Sequence, residues 1–108
     1  MKYIHPTAPP RFKEKPPSLI SLREGENVSL IISATGNPAP NITWSVQGRN
    51  HGDQSRYKIT SDKFEIREVR FEDHGTITCR AENVFGVREM KVELTILGEL
   101  TIFYLTKK

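Results

Sequence analysis

A chain of 108 residues is enough for one domain with a core of its own. Its 36% hydrophobic content is dispersed, and no run approaches the ~18 apolar residues of a membrane helix. The net charge of +3 is unevenly placed: residues 16–98 carry ten Lys/Arg against eleven Asp/Glu, whereas the flanks hold six cations (Lys2, Arg11, Lys13, Lys15, Lys107, Lys108) against Glu14 and Glu99. With that centre nearly neutral and no basic face interleaved with aromatics, the composition excludes the electrostatic footprint of a nucleic-acid binder.

In chain order, residues 1–8 read as a linker or flexible arm. The first ten residues lack the apolar stretch of a secretory leader, and Met1 opens on linker-like sequence, which predicts a piece of a longer protein. Pro9-Pro10-Arg11-Phe12 begins an edge segment, since proline cannot donate to a ladder, and Ser18–Leu22 continues it to a turn at Arg23–Glu26. Val28, Leu30 and Ile32 alternate with Ser29, Ile31 and Ser33, predicting a strand with one apolar face. Gly36-Asn37-Pro38-Ala39-Pro40 breaks it, and Ile42, Trp44 and Val46 form the next inward set.

Gln47–Ser55, polar with two glycines, reads as a loop. Arg56–Thr60 and Lys63–Arg67 follow as two short strands, with Val69 and Phe71 closing onto the core. Asp73-His74-Gly75 is a turn, after which Ile77, Cys79 and Ala81 alternate inward. Asn83-Val84-Phe85-Gly86 is a hairpin turn in which Gly86 is expected to supply a positive φ. Met90, Val92, Leu94 and Ile96 face inward on the last strand. Seven or more short strands with turn signals about every ten residues, and at most one helical turn near Arg70–His74, predict an all-β sandwich of two antiparallel sheets.

The islands Pro9–Phe12, Glu24–Val28, Gly36–Pro40, Ile42-Thr43-Trp44, Asp73-His74-Gly75 and Cys79–Asn83 with Gly86 resemble, in order and spacing, an immunoglobulin domain of the intermediate (I-set) type over residues 9–97. The resemblance implies a Greek-key sandwich. Two positions depart from the pattern: Ile32 replaces the first cysteine of the inter-sheet disulfide, and Ile77 replaces the tyrosine that ties down the corner before the late strand. No disulfide is therefore expected. Trp44 should pack among Ile32, Cys79, Leu30 and Ile66 as the structural core. The resemblance also implies a structural ion pair between Arg56 and Asp73.

Enzymatic constellations are absent. His5, His51 and His74 fall in a linker, a loop and a turn without ligand spacing, and the single thiol has no partner for a zinc site. A Cys79–His74 nucleophile pair would need an exposed thiol, whereas strand alternation points Cys79 inward as a small inert hydrophobe. No catalytic residue, cofactor or metal is expected. The sequons Asn27-Val28-Ser29 and Asn41-Ile42-Thr43 mark possible N-glycosylation.

Residues 98–108 read as an extension, linker or tag. Their apolar stretch, with Ile102, Phe103 and Tyr104, has three readings: a further strand or module, a strand-adding contact that includes homo-association, or a disordered tail. With Phe85, these are the candidate partner contacts, together with the loop Gln47–Ser55. Function should lie in protein binding, without nucleic acid or direct membrane insertion. One expectation is an extracellular or cell-surface module for adhesion or receptor recognition, beside neighbouring immunoglobulin or fibronectin-type domains. The rival is a cytoplasmic module of a muscle or cytoskeletal protein, a mechanical spacer and docking site whose reducing surroundings make a disulfide useless.

Overall fold

The computed structural model describes residues 6–47 and 55–98. Within them the chain forms β1 (Ala8–Glu14), β2 (Leu19–Arg23), β3 (Val28–Ile31), β4 (Ser33–Asn37), β5 (Asn41–Gln47), β6 (Tyr57–Ile59), β7 (Lys63–Ile66), a 3-10 turn (Phe71–Asp73), β8 (Gly75–Asn83) and β9 (Gly86–Leu97). One layer is a four-stranded sheet in the order β2-β9-β8-β5. The other contains β3-β7-β6 and the pair β1-β4.

Each central strand buries alternate residues, as the period of two requires. Val28 and Leu30 of β3 stand opposite Ile66 and Phe64 of β7, while Ile77 and Cys79 of β8 stand opposite Val92 and Met90 of β9. These side chains meet between the layers with Ile32, Val69, Leu94 and Ile96 in one buried cluster. Ile32 marks a change of partner: its N–H donates to the Asp62 carbonyl at 3.0 Å, with β3 paired to β7 before it and β4 paired to β1 after it.

Several local expectations change. The N-terminal edge segment is two strands in two different sheets: β1 runs antiparallel to β4, and β2 runs parallel to β9. The prolines at 16 and 17 lack the N–H groups that would carry one ladder through. Trp44 is partly rather than fully buried, because its indole N–H reaches outward to the Thr60 carbonyl at 3.0 Å. Phe71 does not close onto the core; it is 48% exposed. The 3-10 turn replaces the strand period there, so Asp73 goes inward while the Phe71 ring lies against His74, 5.0 Å between centroids.

Gly86 does not supply a positive φ; among the described glycines that role falls to Gly25 (φ 93°) and Gly75 (φ 142°). The need for glycine at 86 is space. A Cβ there would lie 3.3 Å from the Pro9 Cβ, where β1 passes the hairpin.

Candidate interaction surface and its support

A buried polar corner lies beneath one end of the sandwich. Arg56 enters β6 and Asp73 ends the 3-10 turn, which places their side chains face to face. The guanidinium grips the carboxylate twice: Nη1 donates to Oδ2 at 2.7 Å and Nη2 to Oδ1 at 3.0 Å. Nη1 also donates to the carbonyls of Arg67 and Glu68. The Tyr57 hydroxyl donates to Asp73 Oδ1 at 2.9 Å, and the Arg70 N–H donates to Oδ2 at 2.8 Å.

Burial disfavours the charged form of Asp73, but the hydrogen bonds from Arg56, the Arg70 backbone and Tyr57 outweigh it and hold the carboxyl below its ordinary range. Tyr57 is pushed the other way, first by burial and then by its bond to the charged Asp73. Its chemistry is that of a clamp on the loop before β8.

Ile32 and Cys79 occupy the same core cluster, 3% and 0% exposed, and the thiol is free. Burial pushes Cys79 up to about 11, which suppresses the thiolate that nucleophilic or metal chemistry would need. Among the described residues no group of His, Cys, Asp or Glu is placed to hold a metal ion, and no helix is long and apolar enough to cross a membrane.

The surface is more eventful. The hairpin between β8 and β9 carries Val84 at 83% and Phe85 at 50% exposure, with Val87 beside them. Asn83 fixes this tip. Its Nδ2 donates to the carbonyls of Ala8 (2.8 Å) and Pro38 (2.9 Å), and its Oδ1 accepts from the Phe85 N–H (2.8 Å). Three chain segments are thereby tied under an apolar tip.

Both sequon asparagines are exposed. Asn27 uses Oδ1 to accept from the Glu68 N–H at 2.8 Å, which supports the left-handed backbone of Glu68 (φ 51°) and leaves Nδ2, the atom a glycan takes, on the other side of the amide. Asn41 opens β5 opposite Glu82. Ile102, Phe103 and Tyr104, with His5, His51 and residues 48–54 of the predicted loop, lie outside the described residues.

Sequence reasoning missed Tyr57 and Asn83 as structural ties, since neither bond follows from local pattern. It also counted Arg11, Lys13 and Lys15 as tail charge, whereas β1 builds the first two into the folded body and Lys15 follows directly. The signal available was the alternation of Arg11, Lys13 and Lys15 at every second residue.

Residues 10–96 match the model of the immunoglobulin I-set domain. The chain belongs to that family. As an I-set domain it is 34% identical over 98 residues to Protein turtle homolog B of Mus musculus, covering 89% of this chain and 7% of that protein. It therefore spans a small part of the length of that relative.

Among solved structures it is similar to the insect immune protein hemolin, described with implications for homophilic adhesion: TM-score 0.75 and 27% identity over 84% of this chain and 23% of hemolin. It is also similar to the titin M3 domain, at TM-score 0.70 and 25% identity over 83% of this chain and 98% of that one.

Proposed function

We propose that this I-set domain is a non-enzymatic protein-recognition module of a multidomain cell-surface or matrix protein, acting in adhesion or receptor recognition. The observation that carries the reading is the Val84-Phe85 tip with Val87. Exposed aromatic and aliphatic side chains on a rigid hairpin are the material of interface anchors, and the Asn83 hydrogen bonds remove much of the ordering cost of binding. Similarity to turtle homolog B and to hemolin supports this setting.

The test is expression through a eukaryotic secretory route and display on beads. Secreted, folded protein bearing glycan at Asn27 or Asn41, capturing partner cells or like beads through a surface that Phe85→Asp disables, is the expected result. Intracellular retention without glycan, or capture indifferent to Phe85→Asp, counts against it.

A second reading, a cytoplasmic muscle or cytoskeletal module, draws on one specific observation: a buried free thiol in the same core cluster as Ile32, which a reducing compartment tolerates without cost. Its likeness to titin M3 supports the same reading. Glycan occupancy separates the two.

A further inference from the structure

The seam between β1 and β9 is where the sandwich leaves a ladder half-used. Across β8, Gly86 pairs with Asn83 and Met90 with Cys79. On the opposite side the Glu93 N–H donates to the Ser18 carbonyl at 2.8 Å, and β2 pairs with β9 only from Glu93 onward. Alternate residues of a strand aim their N–H and C=O groups to the same side, so Val87, Glu89 and Lys91 aim theirs into the seam. Among the described residues no strand pairs with them there. β1 passes close to β9 at Gly86 and Pro9 while its ladder, from Ala8 to Glu14, is made with β4, and the chain comes back to β9 at Ser18.

The gap so framed holds two clefts, of ≈ 340 and ≈ 590 Å³, that share Lys15 and Glu89 as lining residues. Their walls carry Arg11, Lys15, Arg88 and Lys91 against the single carboxylate of Glu89. None of these four cations forms an ion pair among the described residues.

We infer that this seam is a docking groove for an extended acidic segment of a protein partner, which adds a short strand to Val87–Lys91 while its carboxylates meet Arg11, Lys15, Arg88 and Lys91. The inference rests on the reading of the domain as a protein-binding module and names a second surface for it. Unused backbone groups select a polypeptide over a polysaccharide, because a ladder rewards alternating N–H and C=O. The excess of cations selects acidic side chains and raises the rate of encounter.

The experiment titrates the isotope-labelled domain with a capped peptide of eight glutamates, which presents carboxylates on both faces of the added strand, read by amide NMR. The amides of Val87, Glu89 and Lys91 should shift and gain protection from exchange. A lysine-for-glutamate peptide should not bind, and methylation of alternate peptide nitrogens should abolish binding. Arg88→Glu with Lys91→Glu should weaken it about tenfold or more at an unchanged melting temperature, and Arg11→Glu alone should weaken it less.

No shift at these three amides up to millimolar peptide overturns the proposal, as does equal binding by the methylated peptide. A six-sugar heparin fragment that perturbs the same cations while the peptide does not also overturns it and marks a polysaccharide site. A domain that captures partner through Phe85 yet ignores the peptide loses the groove and keeps the function proposed above; one that binds the peptide but is retained in the cell keeps the groove and loses that function.

Discussion

The middle of the sandwich and the corner beneath it solve the same problem with opposite materials. In the middle, where a crosslink would span the sheets, Ile32 and Cys79 leave only apolar packing with Leu30, Phe64 and Val92. At the corner, where a tyrosine on β8 would anchor the loop, Ile77 is buried and a charged pair does the anchoring. Packing is forgiving of substitution, since volume and polarity are its main demands. A buried ion pair is not forgiving, because removing one partner strands the other's charge. The lesson is that loss of one strong tie in the core is absorbed by neighbours, whereas each member of the corner depends on all the rest.

The strongest way to break the comparison is Asp73→Ala, which leaves the Arg56 guanidinium without its carboxylate; about 3–5 kcal/mol of stability should disappear in urea unfolding. A loss under 1 kcal/mol would make the corner no more fragile than the core. Next, Ile32→Cys should form a disulfide with Cys79 in oxidised protein. The closed loop of about 47 residues is worth about 4 kcal/mol, less about 1.5–3 kcal/mol of lost isoleucine burial. The net gain should be about 1–2.5 kcal/mol and vanish on reduction; thiols still free in oxidised, folded protein would place the two residues apart.

Tyr57→Phe keeps the ring against Phe64 and removes only the bond to a charged acceptor, for a loss of about 1.5 kcal/mol by the same unfolding assay. The smallest expected effect is on pH dependence. The folded-state pKa of Asp73 lies below its unfolded value near 3.9. Its contribution is therefore present above about pH 4 and is lost as pH falls through the depressed value. Tyr57 and Cys79 are raised, so their contributions hold below their unfolded values, near 10 and 8.5, and fade at higher pH. Asp73→Asn should flatten the acid limb alone, and an unchanged acid limb would remove Asp73 from the account.

The sandwich was legible because its central strands obey a period of two with few interruptions: Val28, Leu30 and Ile32, then Ile77, Cys79 and Ala81, then Met90 to Ile96. Reading failed where backbone departs from that period. Phe71 turns outward because three residues wind into a 3-10 turn, and Gly86 is set by the nearness of Pro9, 77 positions away in sequence, rather than by its own φ. The candidate surface was legible only in part. Phe85 could be named from its turn, but Asn83's hydrogen bond to Ala8 and the seam beside β9 exist only once distant segments are brought together.

The pairing of β2 with β9 carries a consequence for how the chain folds. Leu19 meets Glu93 and Arg23 meets Leu97, so the second strand finds its ladder only when nearly all of the sequence is available. Such non-local closure belongs to all-β domains that fold in milliseconds to seconds. On a ribosome adding roughly 5–20 residues per second, β2 waits several seconds for a partner. During that interval the apolar residues Leu19, Ile20 and Leu22 are open to chaperones or to a neighbouring nascent chain.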